Sequence, residues 1–195
     1  MNFKLALSAV ALAAATFSGA VSAVPIQTAF NFVPFGPFVA NTGDVTTMTS
    51  ISGGAPYLVS TILFDNTGLV PFGIVGLSNP MPLSIGASFT KTFTTALGTF
   101  VETLTIDSRT AGSSSLGITA VGTITETVVI SGAMLDPSPV FFSAAYTQNG
   151  GPGAQINGSF NNSTTPPTRV PEPGTLSILG LALAAMGFMS RRRRA

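Results

Sequence analysis

The chain has no cysteine, no histidine and no tryptophan among its 195 residues, and only 8% of its residues are charged. Without cysteine, no disulfide can stabilise it. Without cysteine or histidine, most nucleophile–base pairs and most transition-metal sites are excluded. Stability must therefore come from an apolar core and backbone pairing, and any catalysis would have to use carboxylates.

Charged side chains are also few between Val24 and Arg169, where three basic residues stand against six carboxylates. No basic patch is present, which argues against a nucleic-acid partner or an anionic membrane surface. The low charge and the abundance of Thr, Ser, Gly and Asn differ from the highly charged composition of disordered chains. This segment is long enough for one domain with its own core. We predict no cofactor, no metal site and no enzymatic activity for it.

The first 23 residues have the layout of a secretory signal peptide. A short positive start ending at Lys4 precedes an apolar run over residues 5–17 and a small-residue stretch that ends at Ala23. The apolar run is too short to span a bilayer comfortably. We therefore predict export through the secretion translocon and cleavage between Ala23 and Val24.

The other end combines three unlike signals in a fixed order. The rigid motif Val170, Pro171, Glu172 and Pro173 precedes an uncharged stretch over residues 174–189, and the run Arg191, Arg192, Arg193 and Arg194 follows. The two prolines keep the motif extended and accessible. We predict a transmembrane helix over residues 174–190, of which the uncharged residues 174–189 would span ~24 Å of a ~30 Å hydrocarbon core. The arginines favour the cytoplasmic side. A plain tail anchor is the alternative.

This ordered arrangement resembles the PEP-CTERM sorting domain of Gram-negative bacteria. The resemblance covers residues 170–195 and implies recognition by an exosortase, a membrane enzyme that cleaves near the Pro-Glu-Pro motif. It also implies a lineage that makes exopolysaccharide and biofilm. We expect the protein to be exported, held transiently by its C-terminal helix, and then located at the cell surface or outside the cell.

The segment between the two targeting signals has the pattern of an all-β domain. Runs rich in Val, Ile, Thr and Phe alternate with Gly, Pro, Asn and Ser clusters about every ten residues. We predict an antiparallel β-sandwich, of jelly-roll or immunoglobulin-like type, over residues 24–162, followed by a Pro/Thr linker over residues 163–169. Turns are expected at residues 41–44 and 65–68. The predicted strands are residues 26–33, 45–51, 57–64, 69–77, 88–95, 99–107, 116–130, 139–148 and 154–161.

The longest predicted strand shows strict alternation. One face carries threonines and the other is apolar, and the strand length predicts a bulge or bend near Gly122. The apolar face comprises Leu116, Ile118, Ile124, Val128 and Ile130. Other expected core residues are Phe89, Phe93, Phe100, Leu104, Ile106, Phe142 and Tyr146.

Two carboxylates, Glu102 and Glu126, fall on the apolar faces of neighbouring predicted strands, as the acid and base of a glycosidase would. Matching the apolar faces pairs Glu102 with Gly122 and Glu126 with Gly98. The two carboxylates are then offset by four residues, about 13 Å, whereas hydrolysis needs roughly 5–10 Å. We therefore expect one or both at the rim of the sandwich. Asp44 and Asp65 are expected to form turns rather than bind calcium.

These observations favour a non-catalytic, exported β-sandwich at the cell surface or in the extracellular matrix. Its threonine-lined faces would hydrogen-bond exopolysaccharide, although no aromatic platform is evident in the sequence. A self-associating structural protein is a second hypothesis, because strands with few charges protect their edges poorly. A secreted hydrolase that uses carboxylates alone is a third.

Overall fold

The computed structural model of the protein describes residues 24–165, which form eleven β-strands and no helix. The all-β prediction is therefore correct for this part of the chain. The strands are β1 (Thr28–Pro34), β2 (Phe38–Ala40), β3 (Ser50–Gly53), β4 (Tyr57–Asp65), β5 (Ile74–Leu77), β6 (Met81–Pro82), β7 (Ser88–Thr94), β8 (Gly98–Ala111), β9 (Ser115–Val129), β10 (Ser138–Gln148) and β11 (Ile156–Ser163).

Eight of these strands close into an antiparallel barrel, so the sandwich prediction is wrong. Their order is β1-β4-β5-β7-β8-β9-β10-β11, and β11 returns to pair with β1. The closing pairs include Phe32 with Phe160 and Phe30 with Asn162. The short strands β2, β3 and β6 form a side ribbon that joins β11 through the pair Ile156 and Phe38.

Bulges in the long strands accompany the closure. The β8–β9 register shifts beside Asp107 and Thr127, and the β1–β4 register shifts beside Ser60 and Leu63. An unpaired residue bends a strand and increases its twist, which allows one sheet to curl onto itself. The sequence predicted a bulge or bend near Gly122. Pairing continues through Gly122 itself, and the nearest register shift lies beside Asp107, opposite Thr119 and Ala120.

Gly122 has a different role in the strand pair. A Cβ atom at this position would collide with the backbone carbonyl oxygen of Thr103 on β8. The missing side chain therefore lets the two long strands approach closely where they coil around the barrel. At Gly122 itself, the glycine therefore permits a close approach of two strands rather than a bulge.

Most predicted strands overlap observed ones, with several local differences. Of the predicted strand over residues 69–77, only residues 74–77 form strand β5. Residues 45–48 form a turn instead of strand, in which the Met48 amide donates to the Asp44 carbonyl (3.0 Å). Strands β2 and β6 were not predicted. The turns at residues 41–44 and 65–68 are confirmed, with Gly43 and Gly68 at φ of 73° and 77°, in the left-handed region that glycine tolerates.

The barrel interior is filled with side chains from the inward face of each strand. The expected core residues Phe89, Phe93, Phe100, Leu104, Ile106, Leu116, Ile118, Ile124, Phe142 and Tyr146 are all buried. Val128 and Ile130 are instead 52% and 57% exposed, since the extra residue Thr127 breaks the alternation before the end of β9. Several rings pack face to face, among them Phe32 with Phe160 at 4.9 Å between centroids.

Candidate functional sites: a buried polar cluster and an outer groove

A buried ion pair lies in the interior of the barrel. Lys91 on β7 stands directly opposite Glu102 on β8, and Lys91 Nζ lies 2.8 Å from Glu102 Oε1. Both side chains are completely buried. Their inward direction follows from strand alternation, because Phe89 and Phe93 point to the same face as Lys91.

Asn162 joins this pair from the opposite wall of the barrel. Strands β7 and β11 lie four strands apart in either direction around the eight-stranded barrel. Asn162 Nδ2 donates to the same oxygen that Lys91 contacts, Glu102 Oε1, at 3.0 Å. One carboxylate oxygen therefore holds an amine and a carboxamide together in the interior. We call Lys91, Glu102 and Asn162 the inner cluster.

Phenylalanine rings surround the amine of the inner cluster. Lys91 Nζ lies 4.4 Å from the centroid of the Phe30 ring, 5.3 Å from that of Phe32 and 5.8 Å from that of Phe93. Ring faces attract a cation, but they accept protons far less well than oxygen does. The three rings therefore attract the Lys91 ammonium group without taking part in proton transfer.

Several polar atoms of this region lack hydrogen-bond partners. Glu102 Oε2 and Asn162 Oδ1 are buried and unpaired, and Lys91 Nζ makes no hydrogen bond beyond its ion pair. Unpaired buried polar groups are costly and uncommon in folded proteins. Such a concentration within one cluster points to chemistry rather than to packing alone.

Burial also changes the proton affinities of the ion pair. Loss of solvation lowers the pKa of Lys91 to about 8 and raises the pKa of Glu102, while their mutual attraction opposes both shifts. Desolvation disfavours a charge on either group. Both changes bring the pair closer to a neutral amine beside a neutral carboxylic acid.

Glu126, the second carboxylate singled out in the sequence, is also buried but has separate partners. Its Oε2 accepts a hydrogen bond from the Leu135 amide at 2.7 Å. It stands opposite Phe100, and Glu102 stands opposite Ile124. The predicted pairing is therefore wrong by two residues.

The corrected register changes the argument about a hydrolytic pair. The two carboxylates are offset by two residues, about 7 Å along the strand, so separation along the strand no longer excludes a pair. Glu102 is nevertheless sealed in the interior rather than at a rim. Burial, not distance, now argues against a shared substrate.

Asp44 and Asp65 are turn-forming residues, in agreement with the expectation. Asp44 Oδ1 accepts from the amide and the hydroxyl of Thr46, both at 2.8 Å. Asp65 accepts from the Thr67 hydroxyl at 2.6 Å and the Leu69 amide at 2.7 Å. Within residues 24–165, no three acidic side chains are grouped closely enough to hold a metal ion.

A groove of about 620 Å³ runs over the outside of the barrel. Its lining comes from β8 and β9, from β10 and β11, and from β1 and β4. Leu63, Phe64, Val121 and Phe141 supply apolar surface, and Leu63 is 65% exposed. We call this surface the outer groove. Its polar lining comprises Asp107, Thr119, Ser143, Asn161, Ser163 and Thr165.

Residues 169–194 match the family model described as the PEP-CTERM protein-sorting motif. The chain carries a PEP-CTERM sorting motif. This motif indicates an exported protein whose sorting depends on an exosortase and a membrane-associated C-terminal signal. No curated protein and no solved structure is detectably similar to the chain.

The residues predicted to direct sorting lie outside the described part of the chain. They are Ala23, Val170, Pro171, Glu172, Pro173, Arg191, Arg192, Arg193 and Arg194, together with the predicted helix over residues 174–190. Val24, the residue expected to follow the signal-peptide cleavage site, lies within the described part. This residue is 56% exposed, and its carbonyl accepts a hydrogen bond from the Asp136 amide at 2.9 Å. Between residues 24 and 165 the fold contains no helix with the length and apolarity that a membrane span requires.

Two members of the inner cluster were missed in the sequence. Lys91 alternates with Phe89 and Phe93, so its position on an apolar face was readable from the period of two. Asn162 continues the inward series of Ile156 and Phe160 on β11, but the predicted strand ended one residue before it. Lys91 and Asn162 meet at Glu102 only because the barrel closes, and no local sequence pattern reveals this closure.

Proposed function

We propose that this exosortase-sorted protein is a non-catalytic protein of the cell surface or extracellular matrix that contacts exopolysaccharide through its outer groove. The observation that carries the proposal is the mixed lining of this groove. It places apolar surface and hydrogen-bonding side chains together on the outside of a rigid barrel. Sites of this composition suit ligands that have both apolar faces and many hydroxyls.

The lining matches the two kinds of surface that a sugar chain presents. Phe64 is 40% exposed and Phe141 is half-buried, so both rings are available to the C–H faces of a sugar. Hydroxyls and amides along β9 to β11 can donate to and accept from sugar hydroxyls. The aromatic surface that was not evident in the sequence arises because separate strands bring these rings into one groove.

The arrangement of carboxylates supports a binding role over a hydrolytic one. Asp107 is the only carboxylate among the described residues that line the outer groove. It accepts a hydrogen bond from the Thr119 hydroxyl. Glycoside hydrolysis by the usual mechanism needs two carboxylates on either side of the scissile bond.

Barrel closure also weakens the case for self-association through strand edges. The eight barrel strands are paired on both sides, and a closed barrel has no free edge. The side ribbon ends in β6, which has only two residues and includes Pro82. A proline cannot donate to an added strand.

Affinity electrophoresis through gels that contain exopolysaccharide from the producing bacterium tests the proposed function. We expect the parent protein to be retarded and the double variant Phe64→Ala/Phe141→Ala to bind about tenfold more weakly, a loss of roughly 1.4 kcal/mol. Phe35→Ala is the matched control, because Phe35 is 78% exposed but lies outside the groove. A parent protein that is not retarded, or a double variant that binds like Phe35→Ala, would refute the proposal.

A further inference from the structure

The inner cluster contains the three groups that an amide-forming reaction needs. Lys91 supplies a primary amine, Asn162 supplies a carboxamide, and Glu102 can accept and return a proton. Both nitrogens lie within hydrogen-bond distance of one oxygen, Glu102 Oε1, at 2.8 and 3.0 Å. All three side chains are completely buried, so their contact is maintained by the fold and is not open to solvent.

We propose that Lys91 and Asn162 become joined by an intramolecular isopeptide bond, with Glu102 as the catalytic residue. Lys91 Nζ attacks Asn162 Cγ, a new Nζ–Cγ bond forms, the Cγ–Nδ2 bond breaks, and ammonia leaves. An ammonium group and a carboxamide thus give a secondary amide and an ammonium ion. No oxidant, reductant or other reactant takes part.

The proton transfers balance on Glu102. Its carboxylate takes a proton from the Lys91 ammonium, which frees the nitrogen lone pair for attack on Cγ. The carboxylic acid then protonates the oxygen that develops negative charge. A proton from the attacking nitrogen is passed to Nδ2, and the Cγ–Nδ2 bond breaks as the carbonyl re-forms. The hydroxyl proton returns through Glu102 to the departing ammonia, which becomes the ammonium ion. Glu102 ends in its original state, and its contact with both nitrogens is the geometry that general acid–base catalysis requires.

The surroundings of the inner cluster favour this reaction over its competitors. The lowered pKa of Lys91 and the raised pKa of Glu102 make the neutral amine and acid accessible. Glu102 Oε2 and Asn162 Oδ1 are both acceptors without a donor. A proton on Glu102 would add a hydrogen-bond donor to the cluster. The ring of Phe30 beside the amine keeps solvent away, so water does not compete as the nucleophile. A fixed contact between reacting groups removes most of the entropic cost of their encounter.

The bond would connect distant parts of the barrel. Lys91 lies on β7 and Asn162 on β11, which stand on opposite walls. Asn162 also pairs with Phe30 on the strand that closes the barrel. An exported chain without cysteine has no disulfide available, and a covalent link across the barrel would supply a comparable constraint.

Tryptic digestion of the denatured exported chain, which begins at Val24 once residues 1–23 are removed, tests the bond directly. Between residues 24 and 169, trypsin can cut only after Lys91, Arg109 and Arg169. The unlinked chain should give separate peptides covering residues 24–91, 92–109 and 110–169. The linked chain should give one branched product, because Lys91 resists cleavage and its peptide, residues 24–109, remains attached to residues 110–169. Its mass should equal that of its parts less one ammonia.

Variants separate this bond from other losses of ammonia. Glu102→Gln, Lys91→Met and Asn162→Ala should each abolish the branched product. Asn161→Ala is the matched control, since Asn161 is the exposed neighbour that donates to Asn31 Oδ1 at 2.8 Å, and its digest should match that of the parent. A succinimide at Asn157-Gly158 also loses ammonia, but it leaves Lys91 cleavable and creates no branch.

The digest of the parent chain is decisive by itself, so a variant that fails to fold does not leave the proposal untested. Recovery of free peptides 24–91 and 110–169 at their full sequence masses, from chain that had been folded before denaturation, would overturn it. A branched product that persists in Glu102→Gln at the parent yield would overturn the catalytic role assigned to Glu102.

Discussion

The inner cluster and the outer groove use similar side chains in opposite surroundings. Each combines phenylalanine rings with amide and carboxylate groups, and they share β8 and β11, since Asn162 points inward and Asn161 outward on the same strand. Polar groups in the groove can exchange hydrogen bonds with water. Those inside depend entirely on one another, and several remain unpaired. Burial therefore turns an ordinary set of polar residues into a reactive and structurally demanding one.

The largest effect on stability is expected from removing one member of the inner cluster. Lys91→Met leaves the Glu102 carboxylate buried without its cation, which typically costs 3–5 kcal/mol. The double variant Lys91→Met/Glu102→Leu removes both charges and should be clearly more stable than the single one. Urea unfolding at neutral pH measures the difference.

The comparison between these two variants is internally controlled. The isopeptide bond is absent from both, so its contribution of about 4 kcal/mol for a loop of this length cancels between them. Equal stability of the single and double variants would mean that Glu102 tolerates isolation in the interior. The contrast drawn between the two environments would then be wrong.

A smaller interior effect is expected from alkaline titration of two buried tyrosines. Burial raises the pKa of Tyr57 to about 12 and also raises the pKa of Tyr146. Because the pKa is higher in the folded state than in the unfolded state, the folded state holds the proton more tightly. Its contribution to stability is fully present below the unfolded pKa of about 10 and is lost as the pH rises through the pKa of the folded state. The free energy of unfolding should therefore fall between about pH 10 and 12.

Tyr57→Phe provides the control for this pH dependence. This variant lacks the hydrogen bond that the Tyr57 hydroxyl donates to the Gly53 carbonyl at 2.7 Å. The free energy of unfolding at neutral pH should therefore be lower by about 1 kcal/mol. Above pH 10 its stability should decline less steeply than that of the parent. Parallel pH profiles for the two proteins, measured by urea unfolding, would exclude a contribution from Tyr57.

The sequence predicts the interior of the barrel better than its closure. Alternation correctly assigned Phe100, Leu104 and Ile106 to the core, because a period of two depends only on local geometry. A sandwich and a barrel share this pattern. Their difference lies in the β1–β11 pairing and in bulges such as that at Asp107, where one extra residue changes the register without a strong local signal.

The same limit explains how much of the candidate sites was predictable. Glu102 was recognised as an inward carboxylate because its own strand places it there. Its ion-pair partner Lys91 and its hydrogen-bond partner Asn162 are separated from each other by four strands, so only the closed topology brings them together. The outer groove likewise combines Phe64 and Phe141 from strands that are distant in sequence.

The smallest effect on the barrel is expected from a change in the sorting motif. Glu172→Ala lies outside residues 24–165, so barrel stability and the tryptic branch should both be unchanged. The apolar stretch and the four arginines are also untouched, and membrane insertion should persist because these features set it. Maturation should nevertheless stop, since the altered residue belongs to the motif that an exosortase recognises.

Replacing Arg191, Arg192, Arg193 and Arg194 with serine should instead disturb orientation in the membrane. Immunoblots of membrane and released fractions, in a host that carries an exosortase, distinguish the two defects. If Glu172→Ala protein is processed and released like the parent, the tail acts as a simple anchor, and recognition does not depend on Glu172.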